Sequence, residues 1–236
     1  MNISETDIAK LDNPAWFSLT ETHAKFAVGN DSVKCYDPAY GPFGGIGGQE
    51  NTGEFLTEYA QVTGSFFIIG ECPMVQLPLQ VTDKLEGLQM IIYNPIQLKA
   101  TEQIAVLGKE HLQMVDELVN RVQPGYFRKQ TFYLGNYYGI FKDDQLVAVT
   151  GERMQMSRFT EVSAVVTHPE YTGKGYAKHL VAHTVNEIFK QGKIPILHVL
   201  QTNISAISLY QKLGFIIRNT MDFWKIGIAS EAKPCN

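Results

Sequence analysis

The stretch Val162–Ala182, VSAVVTHPEYTGKGYAKHLVA, constrains this chain more than any other. An apolar run rich in β-branched residues passes through a short polar loop, Gly173-Lys174-Gly175, into a helical repeat. The first N–H groups of a helix have no partners within it, so a strand, a tight turn and a helix in this order present donors that suit a diphosphate. Taken alone, such a loop reads first as an ordinary strand-to-helix turn, and a second signal is needed to favour the diphosphate reading.

A chain of 236 residues holds one large domain or two small ones, with length enough for a sizeable core. Hydrophobic residues make up 44% and charged residues 19%, a globular balance rather than a disordered one. The formal net charge of −4, with no long basic stripe, argues against nucleic acid as the partner. Cys35, Cys72 and Cys235 are few and far apart, which gives neither a disulfide framework nor a metal-binding spacing. A reducing cytoplasm is the expected location. The polar start MNISETDIAK does not read as a signal peptide, and apolar runs such as Ser65–Gly70 are too short to span a bilayer.

The N-terminal part reads as helical from about Glu5 to Lys25, then as irregular over the turn-rich Tyr36–Gly48. A short helix is expected over Glu50–Gln61, with strands at Ser65–Glu71 and Leu88–Tyr93 and a proline-containing linker at Pro73–Pro78 between them. A boundary is expected near Pro95–Thr101, which divides the chain into residues 1–99 and 100–236. Beyond it the pattern predicts a short strand at Ile104–Leu107 and a helix over Lys109–Val122. A hairpin follows, turning at Lys142-Asp143-Asp144-Gln145, and then a strand at Glu161–Thr167. The helix after the glycine loop carries Ala177, Leu180, Val181, Val185, Ile188 and Phe189 on one stripe and stops at Gly192. Strands at Ile196–Leu200 and Phe223–Ile228 bracket a last helix that starts at Asn203 and ends before Gly214. The class is α/β (α+β): a mixed, mostly antiparallel sheet with a parallel pair, flanked by helices.

The second signal is Asn203–Phe215, NISAISLYQKLGF, preceded by His198-Val199. Together with the loop Thr172-Gly173-Lys174-Gly175-Tyr176-Ala177 it resembles the GNAT superfamily of N-acetyltransferases, and within it the FR47-like branch that includes the C-terminal halves of glycine N-acyltransferase-like proteins. The resemblance covers roughly Thr101–Ile228. The family's loop runs Q/R-x-x-G-x-G/A. Gly175 and Ala177 match, whereas Thr172 stands where the family has Arg or Gln, so one long polar side chain is missing beside the diphosphate.

The resemblance implies acetyl-CoA as cosubstrate, no metal, and direct attack by an amine in a ternary complex. It assigns the diphosphate to Thr172, Gly173, Lys174, Gly175, Tyr176 and Ala177, and the pantetheine arm to the strand edge Val165-Val166-Thr167, splayed from Ile196–Leu200. A chain of amides can pair with an open edge as an extra strand would. Tyr210 stands at the place of the acid that protonates the departing thiolate, a hydroxyl of pKa ~10 donating to a thiol of pKa ~8.5. Glu161 stands where histone-acetyltransferase members carry the base.

Plainer readings stand beside each. Glu161 at a strand start can be solvated or paired with Arg153 or Arg158. Tyr210 can be a core residue between Leu209 and Leu213, and Asn203 can cap its helix as well as meet pantetheine. His198, mid-strand among apolar residues, reads first as a structural histidine and second as a relay, and His168 as a loop residue. Phe127, Tyr133, Tyr137 and Tyr138 either line an acceptor pocket or pack the core. Gly41–Gly48 lacks a following Lys-Ser/Thr and reads as a flexible lid or loop rather than a nucleotide loop, and no Ser or Cys sits in a nucleophile elbow.

Residues 1–99 carry no glycine-loop motif. They read as a reduced copy of the acyltransferase half that covers the acceptor side without binding a second cofactor. The expected partner is a small-molecule or peptide amine, with no nucleic acid and no membrane, and pairing of sheet edges into a homodimer is compatible with the superfamily. The competing class is a non-catalytic acyl-CoA sensor or scaffold.

Overall fold

The computed structural model describes residues 3–48, 50, 52–99 and 101–229; Cys235 lies outside them. The elements, in chain order, are α1 Glu5–Ala9, α2 Pro14–Thr20, β1 Ala27–Gly29, β2 Val33–Tyr36, β3 Phe43–Ile46, α3 Thr52–Thr63, β4 Ser65–Ile69 and β5 Leu79–Ile91. They continue with β6 Ala105–Val106, α4 Leu112–Val122, β7 Tyr137–Lys142, β8 Gln145–Gln155, β9 Phe159–Thr167, α5 Tyr176–Lys190, β10 Ile194–Leu200, α6 Ile204–Lys212 and β11 Ile216–Ile228.

Among the described residues the strands form one sheet in the order β1-β2-β3-β4-β11-β5-β10-β9-β8-β7-β6. Neighbours are antiparallel except β3 with β4 and β9 with β10. The sheet is therefore continuous across residues 95–101. Strand β5, from the N-terminal part, lies between β10 and β11 from the C-terminal part.

Helix α5 lays its Val181, Val185 and Ile188 on one face of the sheet, against Val162 and Leu197. The opposite face is covered by the N-terminal segment, with Leu11 against Phe159 and Ile196 and with Leu19 beside Phe43 and Met154. Alternation along β9 thus sends Val162 toward α5 and Phe159 and Glu161 toward the N-terminal layer.

Several local expectations need correction. The predicted helix over Glu5–Lys25 is broken, because Asn13 leaves the helical region and Pro14 restarts it at the first position of α2, the place where proline fits. The glycine-rich 41–48 is not a flexible lid but contains the buried strand β3. A Cβ on Gly44 would stand 2.5 Å from Cys35 Sγ, and one on Gly45 would stand 2.4 Å from the Trp16 amide nitrogen. These glycines let β2 and α2 approach β3 closely, a packing role that composition disguises as a turn. Strands β5 and β11 are each longer than their apolar ends suggested. They share a ladder from Ile216↔Ile91 to Ile228↔Leu79, and Asp83, Lys84 and Glu86 of β5 are solvent-exposed, so no hydrophobic alternation marks that stretch.

The hairpin turn is as expected, with Asp143 and Asp144 at φ 51° and 60°, the left-handed pair that a tight two-residue turn demands. No helix among the described residues is long and apolar enough to cross a membrane.

Candidate active site

Strands β9 and β10 run parallel only from Ile194↔Phe159 to Ile196↔Glu161. Beyond that point β10 turns to β5, pairing His198 with Gln89 and Leu200 with Gly87, and the β9 edge from Val162 to Thr167 is left facing a gap. A bulge accentuates the divergence. Val149 pairs with Val166 and Gly151 with Ser163, so Ala164 and Val165 together oppose Thr150. Ala164 adopts φ 49°, an uncommon conformation for a residue with a side chain. Val165 and Thr167, on this edge, remain partly exposed, and Val166 is buried against α4.

The glycine loop stands at the end of this edge. Gly173 and Gly175 take φ 77° and 81°, and a Cβ on either would meet nothing within 4 Å. Left-handed backbone at both positions turns successive N–H groups outward at the head of the fifteen-residue α5, and no acidic residue occupies its first turn. Thr172, Gly173, Lys174 and Gly175 are exposed. The Thr172 hydroxyl donates to the Pro169 carbonyl at 3.0 Å, so it tightens the turn rather than reaching outward. Lys174 Nζ lies 4.6 Å from the Tyr171 ring centre, a cation held beside the loop. Tyr176 is buried and Ala177 half-buried beneath it. An exposed nest of donors, a nearby cation and an open strand edge fit the diphosphate and the amide arm of coenzyme A.

Tyr210 lies across the gap on α6, in one apolar cluster with Val162, Val199 and Phe215 and with the partly buried Val165. It is 7% exposed, and burial pushes its hydroxyl up to about 12. Among the described residues the buried side-chain polar atoms without a partner are Asn13 Oδ1 and Thr160 Oγ1. The Tyr210 oxygen is not among them. Asn203 caps α6: its Oδ1 accepts from the Ala206 amide and from Ser205 Oγ, both at 3.2 Å.

Glu161 is 1% exposed and fully engaged. Arg153 donates from Nε to Oε2 and from Nη2 to Oε1, each at 2.7 Å, while the Met154 amide adds 3.3 Å to Oε2 and His198 Nδ1 lies 2.8 Å from Oε1. Burial acts to raise its carboxyl, but the Arg153 charge and the hydrogen bonds override it and hold the group far below the usual carboxylate range. A carboxylate in that state is a poor proton acceptor. Of the readings offered for Glu161, a base acting directly or through water and a carboxylate solvated or paired with Arg153 or Arg158, the geometry contains the pairing with Arg153.

Arg153 in turn lies 4.3 Å from the centre of Phe43 on β3, and Phe223 on β11 packs edge-on against His198 at 5.7 Å. Residues before Pro95 therefore pack directly against this cluster. Phe127, Tyr137 and Tyr138 are core residues. Tyr133 is exposed and, with Leu112, Gln113, Asp116, Lys129 and Gln130, lines a surface cleft of about 800 Å3. This cleft flanks α4 rather than the β9–β10 gap. His168 is buried, and its Nδ1 accepts from the Glu170 amide at 3.3 Å, which shapes the turn before the loop.

The FR47-like protein family matches residues 137–224. A GNAT-family protein from Novosphingobium aromaticivorans is 31% identical, covering 93% of this chain and 99% of its own, with a TM-score of 0.86. A GCN5-related N-acetyltransferase from Kribbella flavida (14% identity, 86% and 89% coverage, TM-score 0.59) and a GCN5-related N-acetyltransferase-like protein from Streptococcus suis (16%, 93% and 97%, 0.59) share the fold. Among curated protein sequences none matches this one. The likeness to the Novosphingobium protein spans nearly both chains, and the chain belongs to the GNAT acetyltransferase family.

Proposed function

We propose that this protein is an acetyl-CoA-dependent N-acetyltransferase acting on a small-molecule or peptide amine. The observation that carries this reading is the gap between β9 and β10, lined by an unpaired strand edge, headed by an exposed donor loop and faced by the Tyr210 hydroxyl. In this reading the diphosphate rests on the amides of Thr172–Ala177, with Lys174 alongside, and pantetheine pairs with Val165–Thr167 and meets the Asn203 amide.

The acceptor enters as the free amine. Its nitrogen lone pair attacks the thioester carbonyl while a backbone N–H of the β9 edge stabilises the oxyanion. Collapse expels the thiolate, which takes the Tyr210 proton; the excess amine proton leaves through water, and Tyr210 is reprotonated from solvent. Glu161 acts as a fixed charge that holds Arg153 and His198 in place. Residues 1–99 supply the wall of the acceptor side, and the setting is cytoplasmic.

A sensor that binds acetyl-CoA without turnover is the second reading. It is favoured by the locked state of Glu161 and by Thr172 in place of a long polar side chain. Thiol release separates the two. An enzyme liberates free coenzyme A when offered pooled amines, amino acids and peptides, and one pool identifies the acceptor class. Tight acetyl-CoA binding with no thiol release from any pool would leave the sensor.

A further inference from the structure

The ion pair at Glu161 belongs to a longer row. Strands β8, β9, β10, β5 and β11 are consecutive neighbours in the sheet. Each contributes one polar side chain to the same face: Arg153, Glu161, His198, Gln89 and Arg218. Arg153 holds Glu161, Glu161 meets His198 Nδ1, and His198 Nε2 lies 3.0 Å from Gln89 Nε2. Gln89 Oε1 accepts from Arg218 Nη1 at 2.9 Å, and Arg218 Nη2 ends the row on Asp12 Oδ1 at 2.7 Å and the Ile8 carbonyl at 3.2 Å.

Both arginines sit at breaks in strand register. On β8, Glu152 pairs with Val162 and Gln155 with Thr160, so Arg153 falls in the extra residue's place. On β11, Ile217 pairs with Met90 and Asn219 with Gln89, so Arg218 is the extra residue. A bulge re-aims a side chain, and here two bulges aim an arginine at each end of one row.

The row also has a fixed polarity. Arg218 can only donate and the Leu11 carbonyl can only accept. Both therefore require Gln89 to point Oε1 at Arg218 and Nε2 at Leu11, which it meets at 2.8 Å. The remaining hydrogen of that NH2 faces His198 Nε2, which must offer a lone pair. His198 is then neutral with its proton on Nδ1, donated to Glu161. The row crosses the sheet where the β9–β10 ladder ends and the cofactor gap opens: Glu161 belongs to the last pair, with Ile196, and His198 stands two residues beyond Ile196.

We infer that Gln89 and Arg218 are positioning residues of the acyl-transfer site. Through the hydrogen bond that Gln89 donates to His198 Nε2 they hold the ring against Glu161 on β9 and set how far β9 and β10 part. The inference rests on the cofactor gap proposed above.

Its test uses the full chain labelled with 15N-histidine. The ring signals of His198 in the wild type should show a neutral imidazole protonated at Nδ1. Arg218→Met takes the donor from Gln89 Oε1, and the Nε2 signal of His198, which accepts from the same amide, should shift while Nδ1 stays protonated toward Glu161. KM for acetyl-CoA should rise about tenfold, as expected for loss of one buried hydrogen bond that shapes the site, while kcat changes less than about twofold. Arg218→Lys, which still donates to Gln89 Oε1, should restore both.

Wild-type His198 protonated at Nε2, or on both nitrogens, would overturn the inference without any variant having to fold. So would a shifted Nε2 signal in Arg218→Met with an unchanged KM. If the wild type shows the Nδ1 tautomer but binds no acetyl-CoA, the cofactor reading fails and the link to the gap falls with it, while the hydrogen-bond row itself stands.

Discussion

Replacing Arg153 by methionine is expected to destabilise the protein by about 3–5 kcal/mol, the range for removing one partner of a buried ion pair. Met matches the stem of Arg, so little packing is lost, but Glu161 would remain sealed from water with His198 and the Met154 amide as its partners. The double variant Arg153→Met with Glu161→Gln should recover much of the loss, because the uncompensated charge is gone.

Acid separates the two states. In the wild type the Glu161 carboxyl is depressed below its ordinary 4.5. Its stabilisation is complete above that value and is lost as pH falls toward the folded-state value. In Arg153→Met only the His198 and Met154 contacts still oppose desolvation and the carboxyl moves upward, so protonation relieves the defect. Urea unfolding at neutral pH and near pH ~4 should therefore show a deficit that shrinks in acid. A deficit that is small or independent of pH would contradict the assignment of Glu161 as a fixed charge.

Tyr210→Phe should lower kcat by about 10²–10⁴-fold, the usual worth of a positioned proton donor, and leave KM for acetyl-CoA within about twofold. Phe preserves the ring that packs in the cluster with Val165 and Phe215, so the fold should hold. The pH profile gives a second reading. Burial raises the Tyr210 hydroxyl to about 12, so the donor stays protonated far above neutrality. Wild-type turnover should show no decline assignable to Tyr210 until pH nears that value. Unchanged turnover in the Phe variant would remove Tyr210 from the reaction.

The C-terminal part of the fold was legible because its signals are local. Apolar stripes, the Asp143-Asp144 turn, Gly175 and the Asn203 cap each act within a few residues, and each lies where the spacing predicted. The β3 strand was not legible, since Gly44 and Gly45 are chosen for close approach to Cys35 and Trp16, distant in sequence. The placement of β5 between β10 and β11 is a non-local pairing that no periodicity encodes.

The candidate site divides in the same way. The loop and Tyr210 lie in motifs. The state of Glu161 depends on Arg153, a pairing the sequence offered only as one of several, and bulges aim both row arginines. Gln89, Arg218 and Asp12 lie far apart along the chain, and neither spacing nor composition distinguished them. The one available hint was negative: a glutamine and a histidine in strands otherwise read as core, Gln89 and His198, need buried partners.

Amide hydrogen exchange of the wild-type protein with and without acetyl-CoA tests the central claim most directly. The account predicts protection concentrated at Val165–Thr167 and at Gly173–Ala177, where ligand amides and phosphates would take up the open donors. Binding that leaves these amides unchanged, or no binding at all, would contradict it.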